Sequence, residues 1–138
     1  MFRSLLSALA ATAILASASV AAQADGVVKV TPLGGQDGEF CRLDRALIFE
    51  DPTGTRLLYD AGRTVAGPDD PRLGNIDVVL VSHMHGDHAG NRHTKAPNAD
   101  SCGMPDFSVD ATPNSSSANI AAKKGAKIVT GSEMAKFF

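Results

Sequence analysis

Three of the four histidines of this chain lie within residues 83–88, which have the sequence HMHGDH. Imidazole nitrogens and carboxylate oxygens are ligands that zinc and several other first-row divalent metals take from proteins. Residues two positions apart lie about 200° apart on a helix but on the same side of an extended segment, so His83 and His85 can converge on one ion only where the backbone is extended or looping. The glycine that follows permits a sharp turn, which brings Asp87 and His88 towards a neighbouring position. The spacing therefore predicts two adjacent metal positions.

A polar loop is the alternative interpretation, in which the histidines cap a strand or form surface hydrogen bonds. A single histidine would favour that interpretation. Three histidines with an aspartate at this spacing favour metal ligation. The remaining histidine, His93, follows Arg92 and is predicted to be exposed to solvent.

The elements that must position the cluster are predicted to be strands. The cluster follows residues 76–81 (IDVVLV), whose β-branched side chains predict a strand buried on both faces. Residues 45–50 and 56–60 flank a proline- and glycine-containing turn and predict a hairpin. A further strand is predicted at residues 27–30, and residues 67–74 predict a loop before the buried strand.

The segment after the cluster is predicted to be a long loop followed by helices and a strand. Residues 91–114 are rich in proline, serine, asparagine and aspartate, and two interpretations stay open: a substrate wall over the metal site, or a flexible solvated insertion. One of the serines at 115–117 is predicted to cap a helix that ends at Gly125. A strand at 127–130 and a last helix, capped by Ser132, complete the prediction.

This pattern resembles the metallo-β-lactamase superfamily. The family signature, His-x-His-x-Asp-His at a strand end, is matched by residues 83–88. A second family feature, an aspartate that ends an earlier strand before a glycine turn, is matched by residues 57–62 (LLYDAG). The resemblance implies an α/β fold, the metallo-β-lactamase-like αββα sandwich, of which the helix, strand and helix after the motif correspond to the first half.

The resemblance also implies roles for individual residues. His83 and His85 would bind a first metal, whereas Asp87 and His88 would bind a second, and Asp87 would orient or deprotonate the attacking water. Asp60 would support the metal loop by a hydrogen bond that fixes the orientation of a ligand. The alternative interpretation of Asp60, considered alone, is a turn aspartate at a strand end. The implied cofactor is one or two zinc ions, with manganese and iron as alternatives.

The implied activity is hydrolysis of a small-molecule substrate. A metal lowers the pKa of bound water from about 15.7 towards about 7, and the hydroxide attacks an ester, lactone, amide or phosphodiester. A histidine at position 85 argues against the diiron electron-transfer branch of the family, which favours glutamate there. An iron-dependent sulfur oxygenase stays an alternative because its branch shares the motif. Serine catalysis is unsupported, since the chain contains no Gly-x-Ser-x-Gly or Ser-x-x-Lys sequence.

The chain departs from the family in its later ligands. Family members take a further histidine, a bridging aspartate and a final histidine from farther along the sequence, and this chain has no histidine after His93. We therefore expect residues 25–138 to form a partial domain. The non-enzymatic alternative is an exported metal-binding fragment, or a half-domain that needs a complementing chain.

The first 24 residues predict a secretory signal peptide. A single charge, Arg3, precedes an alanine-rich apolar run over residues 5–21, and Ala22-Gln23-Ala24 matches an Ala-x-Ala cleavage site. A membrane span is the alternative, but serines interrupt the run, which falls short of the roughly 20 strongly apolar residues that a span needs. The expected location is the periplasm or the exterior, with no membrane span after cleavage.

Composition excludes several other classes of protein. The 13 basic and 15 acidic residues give a net charge of −2, which does not favour a nucleic-acid or anionic-membrane binder. The chain has only two cysteines, too few for a framework of several disulfides or a four-cysteine zinc site. In an oxidising compartment Cys41 and Cys102 either form a disulfide or remain two separate small buried side chains, and both interpretations stay open.

Overall fold

In the computed structural model, which describes residues 26–34, 45–97 and 106–138, a five-stranded mixed sheet forms the centre of the molecule. The strands in chain order are β1 (Lys29–Pro32), β2 (Leu47–Glu50), β3 (Arg56–Tyr59), β4 (Val78–Val81), β5 (Arg92–His93), β6 (Val109–Asp110) and β7 (Lys127–Thr130). Helix α1 spans Ser116–Lys124, and β5 pairs with β6 in a separate small sheet. The predicted α/β class is confirmed, whereas the predicted signal peptide and both cysteines lie outside the described residues.

The order of strands in the main sheet brings several chain ends to one edge. The order is β1-β2-β3-β4-β7, with β1–β2 and β2–β3 antiparallel and β3–β4 and β4–β7 parallel. The carboxyl ends of β3, β4 and β7 therefore lie at the same edge as the start of β2. This edge carries Asp60, the 83–88 motif and Arg45.

The predicted hairpin is confirmed, and one aspartate organises its turn. The Oδ1 atom of Asp51 accepts hydrogen bonds from the backbone N–H of Thr53 at 2.8 Å and of Thr55 at 3.0 Å. These bonds occupy backbone donors that the turn leaves without a strand partner. The first strand begins two residues later than predicted, at Lys29, and Val27 is 71% exposed.

The strand before the motif is fully buried on one face only. Val79 and Val81 are buried with Ile120 and Ala121 of α1 in the main core cluster, whereas Val78 and Leu80 are half-buried. The prediction of a strand buried on both faces is wrong in this respect. Packing on α1 accounts for the buried face, and the run of β-branched residues did not distinguish the two faces.

The two predicted helices after the long loop differ in outcome. Ser115 caps α1, because its side chain accepts a hydrogen bond from Ala118 N, and Gly125 ends the helix in a left-handed conformation. The last predicted helix is instead a 3₁₀ segment, Ser132–Phe137, with no side-chain cap. Ser132 has a φ of 53°, which differs from the extended backbone of a capping residue, and this accounts for the wrong prediction.

The region predicted to be an exposed loop contains the small β5–β6 sheet. Arg92 pairs with Asp110 and His93 pairs with Val109. His93 is half-buried rather than freely exposed, because this pairing holds its ring against Gly67, where a Cβ atom would lie 2.8 Å from His93 Cε1. Residues 98–105 of the predicted loop lie outside the described residues. In the described part of the chain, no helix has the length and apolar character of a membrane span.

Candidate metal centre

The motif follows the last residue of β4 and changes direction within a few residues. His85 is extended, with φ −65° and ψ 148°, and a single π-helical turn over Gly86–Gly90 comes directly after it. The backbone N–H groups of His88 and Ala89 both donate to the carbonyl oxygen of His85 at 2.9 Å. An extended segment followed by a tight turn is the backbone that the His-x-His spacing predicted.

The turn brings all three imidazole rings of the motif together. The ring centroids of His83 and His88 are 3.8 Å apart, and those of His83 and His85 are 4.6 Å apart. The Nε2 atom of His88 lies 3.5 Å from the Oδ2 atom of Asp87. The four residues predicted to bind metal thus lie side by side in one cluster.

Asp60 anchors this cluster to the sheet. The residue is fully buried, its Oδ2 atom lies 2.6 Å from His88 Nδ1, and its Oδ1 atom accepts a hydrogen bond from Ser82 N at 2.8 Å. Its φ of 44° turns the chain sharply after β3, and its own N–H donates to Leu80 O. Asp60 therefore contacts the Nδ1 atom of a motif histidine, which is the kind of hydrogen bond that the resemblance implies.

Ser82 connects the carboxylate of Asp60 to a second histidine. Its Oγ atom donates to Asp60 Oδ2 at 2.7 Å and lies 3.2 Å from His83 Nδ1 and 3.1 Å from His88 Nδ1. From the sequence, Ser82 was predicted only to end the strand before the cluster. The available signal was a hydroxyl residue directly before the first motif histidine, on the strand predicted to lead into the cluster.

This network determines which imidazole nitrogens carry protons. A carboxylate only accepts hydrogen bonds, so the Nδ1 atom of His88 carries the proton of the bond to Asp60. The single hydroxyl hydrogen of Ser82 is donated to Asp60, so its oxygen accepts from the Nδ1–H of His83. The Nδ1 atoms of both rings are engaged by these bonds, which leaves their Nε2 atoms as the ones available to bind a cation.

Asp87 supplies the negative charge of the cluster. Burial raises the pKa of Asp87, but the hydrogen bond from its own backbone N–H and the positive charges of His88, Arg45 and Arg63 outweigh burial and lower the pKa below its usual value. The side chain is 30% exposed, and its Oδ2 atom lies 3.6 Å from Arg45 Nε. Asp87 is therefore ionised at neutral pH, which is the form that binds a metal.

The donor atoms are of the types that bind a divalent cation, but only some of the distances between them match those around a bound ion. Two ligand atoms about 2.1 Å from a tetrahedral zinc lie about 3.4 Å apart, and the 3.5 Å between His88 Nε2 and Asp87 Oδ2 matches that spacing. The histidine rings pack more closely than the roughly 5 Å that shared coordination requires. Accordingly, no three ligand-type side chains of the described residues form a preformed ion site.

Comparison of the chain with protein-family models, with curated proteins and with solved structures gave no match.

Proposed function

We propose that this protein is a metal-dependent hydrolase with the αββα architecture that its His-x-His-x-Asp-His motif implies. The observation that carries the proposal is the Asp60–Ser82 network behind His83 and His88. Metal-binding histidines generally donate their other ring N–H to a carboxylate, a carbonyl or a water molecule, which fixes the tautomer and the ring orientation. A loop whose histidines only capped a strand would not need this support.

Each residue of the cluster has a role under the proposal. His83 and His85 hold one zinc ion, and Asp87 and His88 hold a second, with manganese and iron as alternatives. When bound, the ion supplies Lewis acidity that lowers the pKa of water towards neutrality. Asp87, which is partly exposed and ionised, orients the attacking water or accepts its proton. Asp60 and Ser82 hold protons at the Nδ1 atoms of the histidines.

The substrate is a small molecule with an ester, lactone, amide or phosphodiester bond. Met84 lies between the two histidines of the predicted first metal and is 37% exposed. It borders a cavity of about 140 Å³ that Pro113, Ala118 and Phe137 also line. Asn114 and Ser115 also line this cavity, so its wall offers polar and apolar contacts to the part of a substrate that does not react.

The proposal is tested by zinc content and by hydrolysis of a lactone, a β-lactam, a 4-nitrophenyl ester and a phosphodiester. We expect His85→Ala to lower both bound zinc and turnover. His93→Gln is the matched control, because His93 lies outside the motif and bonds through Nδ1 to Thr94 O. Turnover that survives His85→Ala unchanged would reject the proposal.

Metal binding without catalysis is the second candidate function. The four proposed ligands come from a single loop, residues 83–88, and no three ligand-type side chains of the described residues form a preformed ion site. Zinc binding that depends on His85 with no turnover on any of the four substrates would favour this candidate. Turnover that appears only with a complementing chain would instead identify a half-domain of the hydrolase.

A further inference from the structure

Two arginines flank the motif on the side of Asp87. Arg45 lies just before β2, and Arg63 follows the turn after β3, so the sheet topology brings both to the edge that carries the motif. The Nε atom of Arg45 lies 3.6 Å from Asp87 Oδ2. The Nη2 atom of Arg63 lies so close to Gly86 that a Cβ atom there would be 2.7 Å away.

The guanidinium of Arg63 is held in place by neighbours that leave its outer donors unused. Its Nε atom donates to Asn91 Oδ1 at 3.1 Å, and its Cζ atom lies 5.9 Å from the ring centroid of Phe107. Both contacts orient the plane of the group. Within residues 26–34, 45–97 and 106–138, neither Nη atom of Arg63 forms a hydrogen bond. A positioned guanidinium with free donors suits a ligand better than an internal contact.

Among the described residues, Asp87 is the partly exposed carboxylate beside these two arginines. Arg45 has a side chain that is 45% exposed, and its distance to Asp87 is longer than a hydrogen bond. Arg63 Nη2 lies beside Gly86, the residue before Asp87. Asp60, the other carboxylate at the motif, is fully buried against His88 and Ser82. Two guanidinium groups therefore lie around one partly exposed carboxylate.

We propose that Arg45 and Arg63 bind an oxyanion group of the substrate, a carboxylate or a phosphate, beside the metal loop. The planar fork of arginine donors matches the paired oxygens of both groups. The inference rests on the proposed hydrolase function, because that function places the bond to be cleaved at the metal loop. It is strengthened by that function, because Asp87 used as a metal ligand leaves both arginines without their counterion.

The binding test uses acetate and inorganic phosphate as probes on the full chain. Each probe is titrated into zinc-free and zinc-loaded protein and followed by shifts in ¹H–¹⁵N NMR spectra. We expect Arg45→Gln and Arg63→Gln to raise the Kd of the tighter probe at least about tenfold. Arg92→Gln on β5 is the control and leaves the Kd unchanged. The tighter probe identifies whether the natural group is a carboxylate or a phosphate.

Arg63→Lys provides a second variant if Arg63→Gln does not fold. It keeps the charge but removes the planar fork, so we expect weaker binding of the tighter probe at unchanged zinc content. A Kd that is independent of both arginines, in zinc-free and in zinc-loaded protein, would overturn the inference.

The activity test compares 4-nitrophenyl hydrogen glutarate with the uncharged 4-nitrophenyl valerate. We expect kcat/KM to favour the anionic ester, and the ratio of the two values to fall about tenfold in Arg45→Gln and Arg63→Gln but not in Arg92→Gln. Hydrolysis of both esters without any arginine-dependent preference contradicts the inference and leaves the hydrolase proposal standing. Arginine-dependent binding of the probes with no hydrolysis of either ester would support the inference and contradict the hydrolase proposal.

Discussion

The Nδ1 atom of His88 lies 2.6 Å from the Oδ2 atom of Asp60, a residue with no solvent-exposed surface. This contact joins the turn after β3 to the motif after β4, and both turns lie at one edge of the sheet. A buried carboxylate requires partners for its oxygens, and here Ser82 and His88 supply them. The orientation of a proposed metal ligand therefore depends on a residue of a different strand.

The first prediction concerns Asp60→Asn. The amide keeps the size of the side chain but replaces one acceptor oxygen with a donor, so it cannot accept the bond from Ser82 N at one atom and the bonds from Ser82 Oγ and His88 Nδ1 at the other. We expect zinc affinity to fall about 10- to 100-fold, the usual effect of losing such a supporting group. Affinity is measured by competition with a chromogenic chelator, and thermal unfolding is measured in parallel. Zinc affinity within twofold of wild type would refute the supporting role.

The second prediction separates the Ser82 hydroxyl from its backbone. Ser82→Ala removes the bonds from Oγ to Asp60 and His83 but keeps the bond from Ser82 N to Asp60 Oδ1. We expect zinc affinity to fall about tenfold while the far-ultraviolet circular dichroism spectrum is unchanged. Ser82→Thr keeps the hydroxyl and is expected to retain the affinity. Equal affinities of the alanine and threonine variants would show that the hydroxyl does not act on the histidines.

The third prediction concerns the contact between α1 and Gly90, which lies two residues after the motif. Gly90 has a φ of +79°, and a Cβ atom there would lie 2.3 Å from Gly62 O and 2.6 Å from Ser116 Cβ. We expect Gly90→Ala to lower the free energy of unfolding by about 2–4 kcal/mol, from backbone strain and overpacking together. Urea denaturation measures the change.

Gly125→Ala is the matched control for this prediction. Gly125 also has a positive φ, +66°, but a Cβ atom there would meet nothing within 4 Å. We expect a loss of only about 1 kcal/mol, from the backbone alone. Similar losses in the two variants would mean that the close contact with Ser116 does not stabilise the fold.

The sequence predicted the strands that lead into the cluster better than the contacts around it. The strands before Asp60 and before the motif were correct because local patterns of apolar and turn residues determine them. The contacts of Ser82 with Asp60, and of Arg63 with Gly86, were missed because they join segments that only the sheet topology brings together. No local pattern distinguishes a serine that ends a strand from one that orients a neighbouring ring.

Errors in the last third of the chain have a similar physical origin. Ser132 is a frequent capping residue by type, but its positive φ in this chain prevents that role. His93 carries a polar side chain beside Arg92, yet pairing with Val109 holds it against Gly67. For His93 a tertiary contact outweighed local preference, which a single sequence does not reveal.

The last prediction concerns Asp70, a buried aspartate away from the motif. Its carboxylate accepts hydrogen bonds from Ala66 N at 2.9 Å and from Arg72 N at 3.0 Å, and it forms an ion pair with Arg72 Nη2 at 2.6 Å. Burial raises the pKa of Asp70, but the bonds from Arg72 and Ala66 outweigh burial and hold the pKa below its usual value of 3.8. The group is therefore charged in the folded protein at neutral pH.

The stabilising effect of Asp70 consequently depends on pH. Because the folded pKa is lower than the unfolded pKa, the contribution is fully present well above 3.8 and is lost as the pH falls from about 3.8 through the folded value. We expect Asp70→Asn to lower the free energy of unfolding by about 2–3 kcal/mol at pH 7, because Arg72 loses its charged partner. The difference from wild type should shrink as the pH falls below about 4.

Urea denaturation between pH 3 and pH 7 measures this profile, with Asp69→Asn as the control. Asp69 is an exposed neighbour that lies 3.4 Å from Lys123 Nζ, and such surface pairs contribute little, so we expect a change of less than about 1 kcal/mol. Profiles of Asp70→Asn and wild type that stay parallel down to pH 3 would contradict the prediction. Such a result would assign the stabilising effect of Asp70 to its shape and hydrogen bonds rather than to its charge.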